Sequence, residues 1–209
     1  MQDTPLVDAQ YLLDHRADPH LKIFDIRATW GDDPRSLHQD YLQGHIPGAA
    51  FLDWTQELIT TGTPIPEAPV PSLEKAQASF AALGIDTDDT VVLYDDYSHM
   101  FASRLWWVMR YFGLAKVRIL NGGWSHWRGQ GLPVSTEEEK TASGAFVPRQ
   151  QQDLLVDAKA VLERPEETGL LDGRTADSHR ENRIPGAVSM PYKTLIDEDS
   201  GLFKDQWRP

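Results

Sequence analysis

The sequence predicts an α/β fold that consists of one complete unit and the beginning of a second. Short apolar runs that suit buried strands alternate along the chain with segments of helical spacing, which is the pattern of strand–helix units. In addition, the pattern Asp-x-Arg followed by Ile-Pro-Gly-Ala occurs twice in the same order, at Asp25 and Ile46 and again at Asp172 and Ile184. Two motifs repeated in one order indicate a domain-sized duplication.

Hydrophobic periodicity and capping residues assign the elements of the first unit. Ser72 is a good N-cap, and Gly84 and Gly113 suit the ends of helices. The polar residues 31–44 predict a loop, and four prolines within 60–71 predict irregular backbone. Helices are expected at 7–17, 73–83, 101–112 and 123–128, and strands at 21–26, 50–52, 91–94 and 117–120.

The second unit repeats the beginning of this order, with a helix expected at 156–164 and strands at 169–171 and 188–190. The two Asp-x-Arg motifs are 147 positions apart and the two Ile-Pro-Gly-Ala motifs 138 positions apart, so the loop between the motifs is nine residues shorter in the second copy. At an offset of 138 positions, the counterpart of the strand at 91–94 would fall beyond Pro209. The second copy is therefore expected to stop before that strand.

The chain is predicted to divide into three parts. Residues 136–152 are first acidic, then small and then rich in glutamine, with no apolar period, which is typical of a linker between domains. We therefore expect a first domain at 1–135, a linker at 136–152 and the N-terminal part of a second domain at 153–209.

Composition excludes several classes of function. The 209 residues are 40% hydrophobic and 10% aromatic, which is typical of a globular protein and not of a disordered one. The formal net charge of −12 argues against nucleic acid or an anionic membrane as a partner. The absence of cysteine excludes disulfides, zinc–thiolate sites and thiol catalysis by this chain. Without an apolar run of membrane-spanning length or a signal-peptide pattern, a cytoplasmic location is the default expectation.

The block 91–133 holds the most specific pattern. An apolar strand ends in a short loop, a helix with Ser-Arg-Leu-Trp-Trp follows, and a second strand leads to Leu-Asn-Gly-Gly-Trp-x-x-Trp and Gly-Leu-Pro. With Asp-x-Arg and Gly-His-Ile-Pro-Gly-Ala upstream, these motifs run in order from Asp25 to Pro133 and resemble the first domain of the tandem rhodanese-type sulfurtransferases. Residues 153–209 resemble the opening of that family's second domain.

The resemblance implies a fold and a reaction. Each domain of the family is a mainly parallel sheet flanked by helices, and the first domain has usually lost its cysteine and is structural. In the second domain, a cysteine attacks the outer sulfur of thiosulfate or 3-mercaptopyruvate, forms a persulfide and passes the sulfur to a thiol or cyanide. A loop at a helix N-terminus suits a thiolate because backbone N–H groups surround and stabilise the negative charge.

In this chain Asp95 stands where the resemblance calls for the cysteine of the loop. A carboxylate has no sulfur that could form a persulfide, and adjacent acids repel an anionic donor. We therefore expect an inactive first domain and a chain that is inactive alone, with no catalytic residue in its degenerate loop, Asp95, Asp96, Tyr97, Ser98, His99 and Met100.

Arg180 and Arg183 are the candidate substrate-binding residues. The resemblance implies that arginines between the two motifs of the second domain bind the anionic end of the donor, and a guanidinium binds a carboxylate or sulfonate bidentately. Arg183 stands where the family has a histidine before Ile-Pro-Gly-Ala. The expected partners are a small anionic sulfur donor, if the second domain is completed, and a C-terminal partner piece or a second copy of the chain. The acid and the arginine of each Asp-x-Arg motif are expected to pair and fix a loop.

Other interpretations stay open. The main alternative is a non-enzymatic rhodanese-like binding or structural module, because an unfinished unit exposes a sheet edge and apolar surface. A hydrolase built on the acids Asp95 and Asp96 with Ser98 and His99 is a poorer interpretation, since the side chains of the adjacent Ser98 and His99 normally diverge. No cofactor or metal is expected, because the seven histidines lack His-x-x-x-His spacing and His45 is interpreted as structural.

Overall fold

The computed structural model describes residues 4–30, 35–57, 59 and 69–205. Its strands, β1 to β9 in chain order, are Leu6–Val7, Leu21–Asp25, Ala28–Thr29, Arg35–Ser36, Ala49–Phe51, Thr90–Tyr94, Val117–Leu120, Leu170–Asp172 and Ala187–Ser189. Its α-helices, α1 to α7, are Ala9–His15, His38–Gln43, Leu73–Ala82, Met100–Tyr111, Gly123–Gly129, Ala158–Leu162 and Ala176–Glu181. Short 3₁₀ helices occur at Gln152–Leu154 and Tyr192–Leu195.

The first unit centres on a five-stranded sheet in the order β1-β7-β6-β2-β5, and every neighbouring pair is parallel. Parallel neighbours need crossover connections, and the helices between the strands supply them. Helices α3 and α4 pack on one face of the sheet, and α1 and α5 pack on the other. The expected α/β fold, a mainly parallel sheet flanked by helices, is confirmed.

Helix α3 shows how a local signal sets an element. The Ser72 Oγ accepts a hydrogen bond from the Lys75 N–H at 3.2 Å, which satisfies one of the unpaired donors of the first turn. At the other end Gly84 has φ 69°, a left-handed conformation that favours glycine and ends the helix. The helix between these residues buries Ala76 and Phe80.

The prediction of a loop at 31–44 is wrong for its described part. Residues Arg35–Ser36 form a short strand, and His38–Gln43 form helix α2. The helix is stable because Tyr41 is fully buried and its hydroxyl donates a hydrogen bond to the Ala49 carbonyl oxygen at 3.0 Å. The single apolar turn was too short to show helical periodicity in the sequence. The irregular backbone predicted for 60–71 lies, from 60 to 68, outside the described residues.

The segment predicted as a linker has no helix or strand between 136 and 151, but it packs along the first unit. The Gly144 N–H donates to a carbonyl oxygen in the last turn of α3 and the Phe146 N–H to one just after this helix. The Arg149 and Gln151 N–H groups donate to carbonyl oxygens at the end of α4, and all four distances are 2.7–2.9 Å. Phe146 is only 7% exposed, and its ring lies 4.8 Å from that of Phe80. The segment is therefore held against the core of the first unit.

The second unit contains a two-stranded parallel sheet, β8 and β9. Its motifs are arranged as in the first unit, with a strand, a short helix, the Ile-Pro-Gly-Ala turn and a second parallel strand. In the described part of the chain, no helix has the length and apolar character needed to cross a lipid bilayer. The cytoplasmic location stays a prediction.

Candidate functional site

A buried ionic network lies at the carboxyl ends of β2 and β6. The Arg27 Nε and Nη2 atoms lie 2.9 and 2.7 Å from the Asp25 Oδ2, and the Tyr94 hydroxyl donates to the same oxygen at 2.8 Å. Arg27 also donates to the Gly44 carbonyl oxygen at 2.7 Å. Burial is the main cause that raises the pKa of Tyr94 well above its ordinary value. The predicted Asp25–Arg27 pair is confirmed, and it ties the end of β2 to the Gly-His-Ile-Pro turn.

Asp95, directly after β6, fills the loop with its own carboxylate. Its Oδ1 accepts hydrogen bonds from the Tyr97 and His99 N–H groups at 2.8 and 3.0 Å, and its Oδ2 accepts one from the Ala102 N–H at 2.9 Å. The side chain is almost completely buried, with the residue 1% exposed. Burial raises the pKa of the Asp95 carboxyl, and the hydrogen bond from Ala102 leads the effects that oppose the rise. The N–H groups of the loop and of the first turn of α4 thus surround an internal anion.

The Asn-Gly-Gly turn packs against the backbone of this loop. The Trp124 N–H donates to the Asp95 carbonyl oxygen at 3.0 Å. Gly123 has φ 57°, and a Cβ there would lie 2.2 Å from the same oxygen, so only glycine fits. Asp96 is exposed, and its carboxylate accepts hydrogen bonds from the Ser125 N–H and hydroxyl at 3.0 Å. The two acids of the loop therefore have different surroundings and different partners.

Three other loop residues, Tyr97, His99 and Met100, contact the second unit. Ser98 and His99 have φ values of 51° and 60°, which are uncommon for residues with a side chain. The His99 Nε2 lies 3.0 Å from the Gly201 carbonyl oxygen, and the Met100 Sδ accepts a hydrogen bond from the Tyr192 hydroxyl at 3.7 Å. The Tyr97 ring lies 5.5 Å from the Lys193 Nζ.

This geometry does not form a hydrolytic triad. The Asp95 oxygens are occupied by backbone N–H groups, and the His99 ring stacks on Phe203 at a centroid distance of 5.0 Å. Among the described residues, no hydrogen bond links Ser98 to the His99 ring. The His99 Nε2 contacts are to Gly201 and to the Gly122 N–H, which lies 3.3 Å away. The hydrolase interpretation therefore has no geometric support.

The second unit repeats the ionic pair of the first at its surface. Arg174 donates from Nε and Nη2 to the two Asp172 oxygens at 2.9 and 2.7 Å, and the His179 Nδ1 lies 3.0 Å from the Oδ2. The hydrogen bonds from Arg174, and then that from His179, lower the pKa of Asp172 well below its usual range. Arg174 also donates to the Asn182 carbonyl oxygen, just as Arg27 donates to that of Gly44. The predicted pairing is confirmed in this unit as well.

Arg180 and Arg183 are placed differently. Arg180 lies in α7 and pairs with Asp177, and both side chains are mostly exposed. Arg183 lines a groove of about 630 Å³ together with Arg174, Leu162 and Leu171. Arg180 is not among the described residues that line this groove. The structure therefore brings one of the two predicted arginines to a cavity. No group of three or more acidic or histidine side chains able to hold a metal ion occurs among the described residues.

Comparison with known proteins decides the family. The Rhodanese-like domain family matches residues 8–130, which is more than half of the chain. The chain belongs to the rhodanese family. It is 32% identical over 212 residues to 3-mercaptopyruvate sulfurtransferase of Escherichia coli, with 95% of this chain and 75% of that protein covered. It is also 32% identical over 202 residues to thiosulfate sulfurtransferase of Bos taurus, with 87% and 65% covered.

The fold comparison extends over both units of this rhodanese. The crystal structure of SseA from Escherichia coli aligns with a TM-score of 0.83 and 32% identity, covering 96% of this chain and 79% of that one. A 3-mercaptopyruvate sulfurtransferase from Leishmania major aligns with a TM-score of 0.77 at 22% identity, covering 99% and 60%, which shows similarity of fold. The aligned relatives named as enzymes are thus sulfurtransferases.

Sequence reasoning missed the residues at the contact between the two rhodanese units. Asn121 belongs to the Leu-Asn-Gly-Gly motif, and its Oδ1 accepts a hydrogen bond from the Phe203 N–H at 2.9 Å. Gly201 and Phe203 were not singled out. The only signal was the turn-forming sequence Asp-Ser-Gly before Leu202, which indicates a turn but not what it packs against.

Proposed function

We propose that this chain is the scaffold of a sulfurtransferase that moves sulfane sulfur from thiosulfate or 3-mercaptopyruvate to a thiol or cyanide. The observation that carries the proposal is the hydrogen bonding of Asp95. Its carboxylate accepts hydrogen bonds from the N–H groups that would stabilise a thiolate at this loop. The first unit is then structural, and the reacting sulfur must come from a cysteine outside the 209 residues, which contain none.

The requirement for cysteine follows from the chemistry. A thiolate attacks the outer sulfur of the donor, a new S–S bond forms, and the bond from that sulfur to the rest of the donor breaks and leaves its electron pair there. The persulfide then gives up the same sulfur to the acceptor and regenerates the thiolate. No other side chain in this chain can store sulfur in this way, so the chain alone should not turn over.

The second unit offers a place for a cysteine-carrying segment. In the first unit β2 is hydrogen-bonded to β5 on one side and to β6 on the other, whereas β8 has only β9 as its partner in the described part of the chain. Leu162, Leu171 and Val188, around this sheet, are 79%, 67% and 60% exposed. We propose that a strand–loop–helix pairs in parallel with β8 as β6 does with β2, and covers these side chains.

Arg183 is the proposed donor-binding residue of the completed unit. It lines the groove beside β8, and the cysteine loop would follow the new strand at the same carboxyl edge. Its guanidinium suits either the carboxylate of 3-mercaptopyruvate or the charged oxygens of thiosulfate. Arg180 pairs with Asp177 on the exposed face of α7 and serves as the matched control.

The experiment has two stages. The 209-residue chain is first assayed with each donor and cyanide, and no turnover is expected. The C-terminal segment of the Escherichia coli 3-mercaptopyruvate sulfurtransferase that lies beyond the aligned region, which we expect to carry a cysteine loop, is then fused after Pro209. The fusion should turn over, and replacement of its cysteines by alanine should abolish turnover. Arg183→Ala should raise KM for the donor roughly tenfold or more, while Arg180→Ala leaves it within about twofold.

The second candidate is a non-enzymatic rhodanese-like module, in which a partner piece or a second copy covers the apolar groove. The exposed side chains of Leu162, Leu171 and Val188 favour it, because a second chain could bury them without any chemical reaction. A folded fusion without turnover supports this candidate, as does a 209-residue chain that sediments as a dimer. Cysteine-independent turnover by the 209-residue chain would contradict both candidates.

A further inference from the structure

The degenerate loop of the first unit contacts a turn of the second unit. Residues 192–203 begin as the 3₁₀ helix Tyr192–Leu195 and fold back so that Ile196 and Phe203 form an antiparallel bridge. The Asp197 N–H donates to the Leu202 carbonyl oxygen at 2.8 Å, which closes the turn internally. Ile196 is buried. The turn is thus a folded element with its own hydrogen bonds, and we call residues 192–203 the docking turn.

Two residues of the first unit hold the tip of the docking turn. The His99 Nε2 lies 3.0 Å from the Gly201 carbonyl oxygen, and the imidazole stacks on the Phe203 ring. The Asn121 Oδ1 accepts the Phe203 N–H at 2.9 Å. Both His99 and Asn121 are buried, with 3% and 9% exposure. Backbone groups of the turn that would face water in isolation are therefore paired across the contact.

The conformation of the loop explains why His99 points outward. The Asp95 carboxylate accepts the N–H groups of both Tyr97 and His99, which closes the loop tightly. Ser98 and His99 take left-handed conformations as a result. Left-handed backbone at a residue with a Cβ is strained and persists when the surroundings require it. In this loop it turns the imidazole toward the second unit.

We propose that His99 and Asn121 are the docking residues that hold the second unit against the first. The loop that would hold a reacting cysteine has become a surface for another part of the same chain. Its effect reaches the carboxyl edge of the second sheet, because the Met190 N–H donates to the carbonyl oxygen of Asp172, the last residue of β8, and the Tyr192 N–H donates to that of Gly173, the next residue. This inference concerns the contact between units and does not depend on sulfur transfer.

Hydrogen–deuterium exchange of the 209-residue chain tests the proposal, resolved to single amides by NMR. The Phe203 amide reports docking because its acceptor is Asn121, whereas the Asp197 amide reports the internal fold of the turn. His99→Gly removes the imidazole and relieves the left-handed strain. It should speed exchange at Phe203 by roughly tenfold or more, with little change at Asp197.

Two further variants separate docking from loop strain. Ser98→Gly relieves the neighbouring left-handed residue without removing a docking group, and it should leave Phe203 exchange within about twofold of wild type. His99→Gln should restore part of the protection, since its amide N–H can reach the Gly201 carbonyl oxygen. Unchanged Phe203 exchange in His99→Gly overturns the proposal. Equal acceleration at Phe203 and Asp197 also overturns it, because that result means loss of the turn itself.

Discussion

Gly123 is the position at which one added methyl group should most destabilise the Asp95 loop. It opens α5 with φ 57°, and an added Cβ would lie 2.2 Å from the Asp95 carbonyl oxygen. The contact joins a Cβ, which is fixed by its own backbone, to a backbone oxygen, so neither atom can move away unless the chain shifts. Forcing atoms into a packed site costs about 1–3 kcal/mol, and a left-handed residue with a Cβ costs about 1–2 kcal/mol. Gly123→Ala should therefore lower the free energy of unfolding by about 2–5 kcal/mol.

Thermal unfolding followed by far-UV circular dichroism measures this effect. For a chain of this size, 1 kcal/mol corresponds to about 2–4 °C in Tm, so a decrease of roughly 4–20 °C is expected. Gly129→Ala is the matched control, because it ends the same helix, has no atoms within 4 Å of an added Cβ, and should leave Tm unchanged or slightly raised. A Tm for Gly123→Ala within about 1 °C of wild type would refute the reasoning.

Three other substitutions probe the packing and the charges around the same unit. Phe146→Ala should lower the free energy of unfolding in urea by about 3–5 kcal/mol, because the ring is buried in the core. The neighbouring Val147 is 60% exposed, so Val147→Ala should change this free energy by no more than about 0.5 kcal/mol. Equal effects would mean that the segment does not pack there. Tyr94→Phe should cost about 1–3 kcal/mol, since it leaves the Ile46 N–H without its acceptor, and a neutral result would contradict the buried network. Because burial raises the pKa of Asp95, its ionisation costs stability as the pH rises above the ordinary carboxyl pKa of about 3.9. The unfolding free energy of Asp95→Asn relative to wild type should therefore increase as the pH is raised from just below that value toward neutrality, and a constant difference would show that the pKa is not raised.

The sequence predicted the central strands and the long helices because their signals are local. The strand at Val117–Leu120 matches its prediction, and the Ser72 cap sets the start of α3 as expected. The pairing within each Asp-x-Arg motif could also be predicted, since the two residues are close in the chain. Helix α2 could not, because what stabilises it is the burial of Tyr41 against β5, and a single buried side chain gives no helical pattern in the sequence.

The candidate site was predictable only in outline. The presence of an acid in place of cysteine at Asp95 can be read directly from the motifs. The inward direction of its carboxylate cannot, because it occurs together with left-handed backbone at Ser98 and His99. No local pattern required that conformation. The role of His99 depends on Phe203, which lies more than a hundred positions along the chain. Contacts of this separation have no signature in a single sequence.

The packed segment between the units changes how strong their contact needs to be. Hydrogen bonds hold its backbone to the ends of α3 and α4, and the Trp107 indole N–H also donates to the Leu154 carbonyl oxygen at 3.1 Å. The second unit is therefore joined to a fixed point on the first unit by a short length of free chain. A short connection of this kind gives an effective concentration on the order of millimolar or higher. A contact that two separate molecules would rarely form can then be occupied most of the time within one chain.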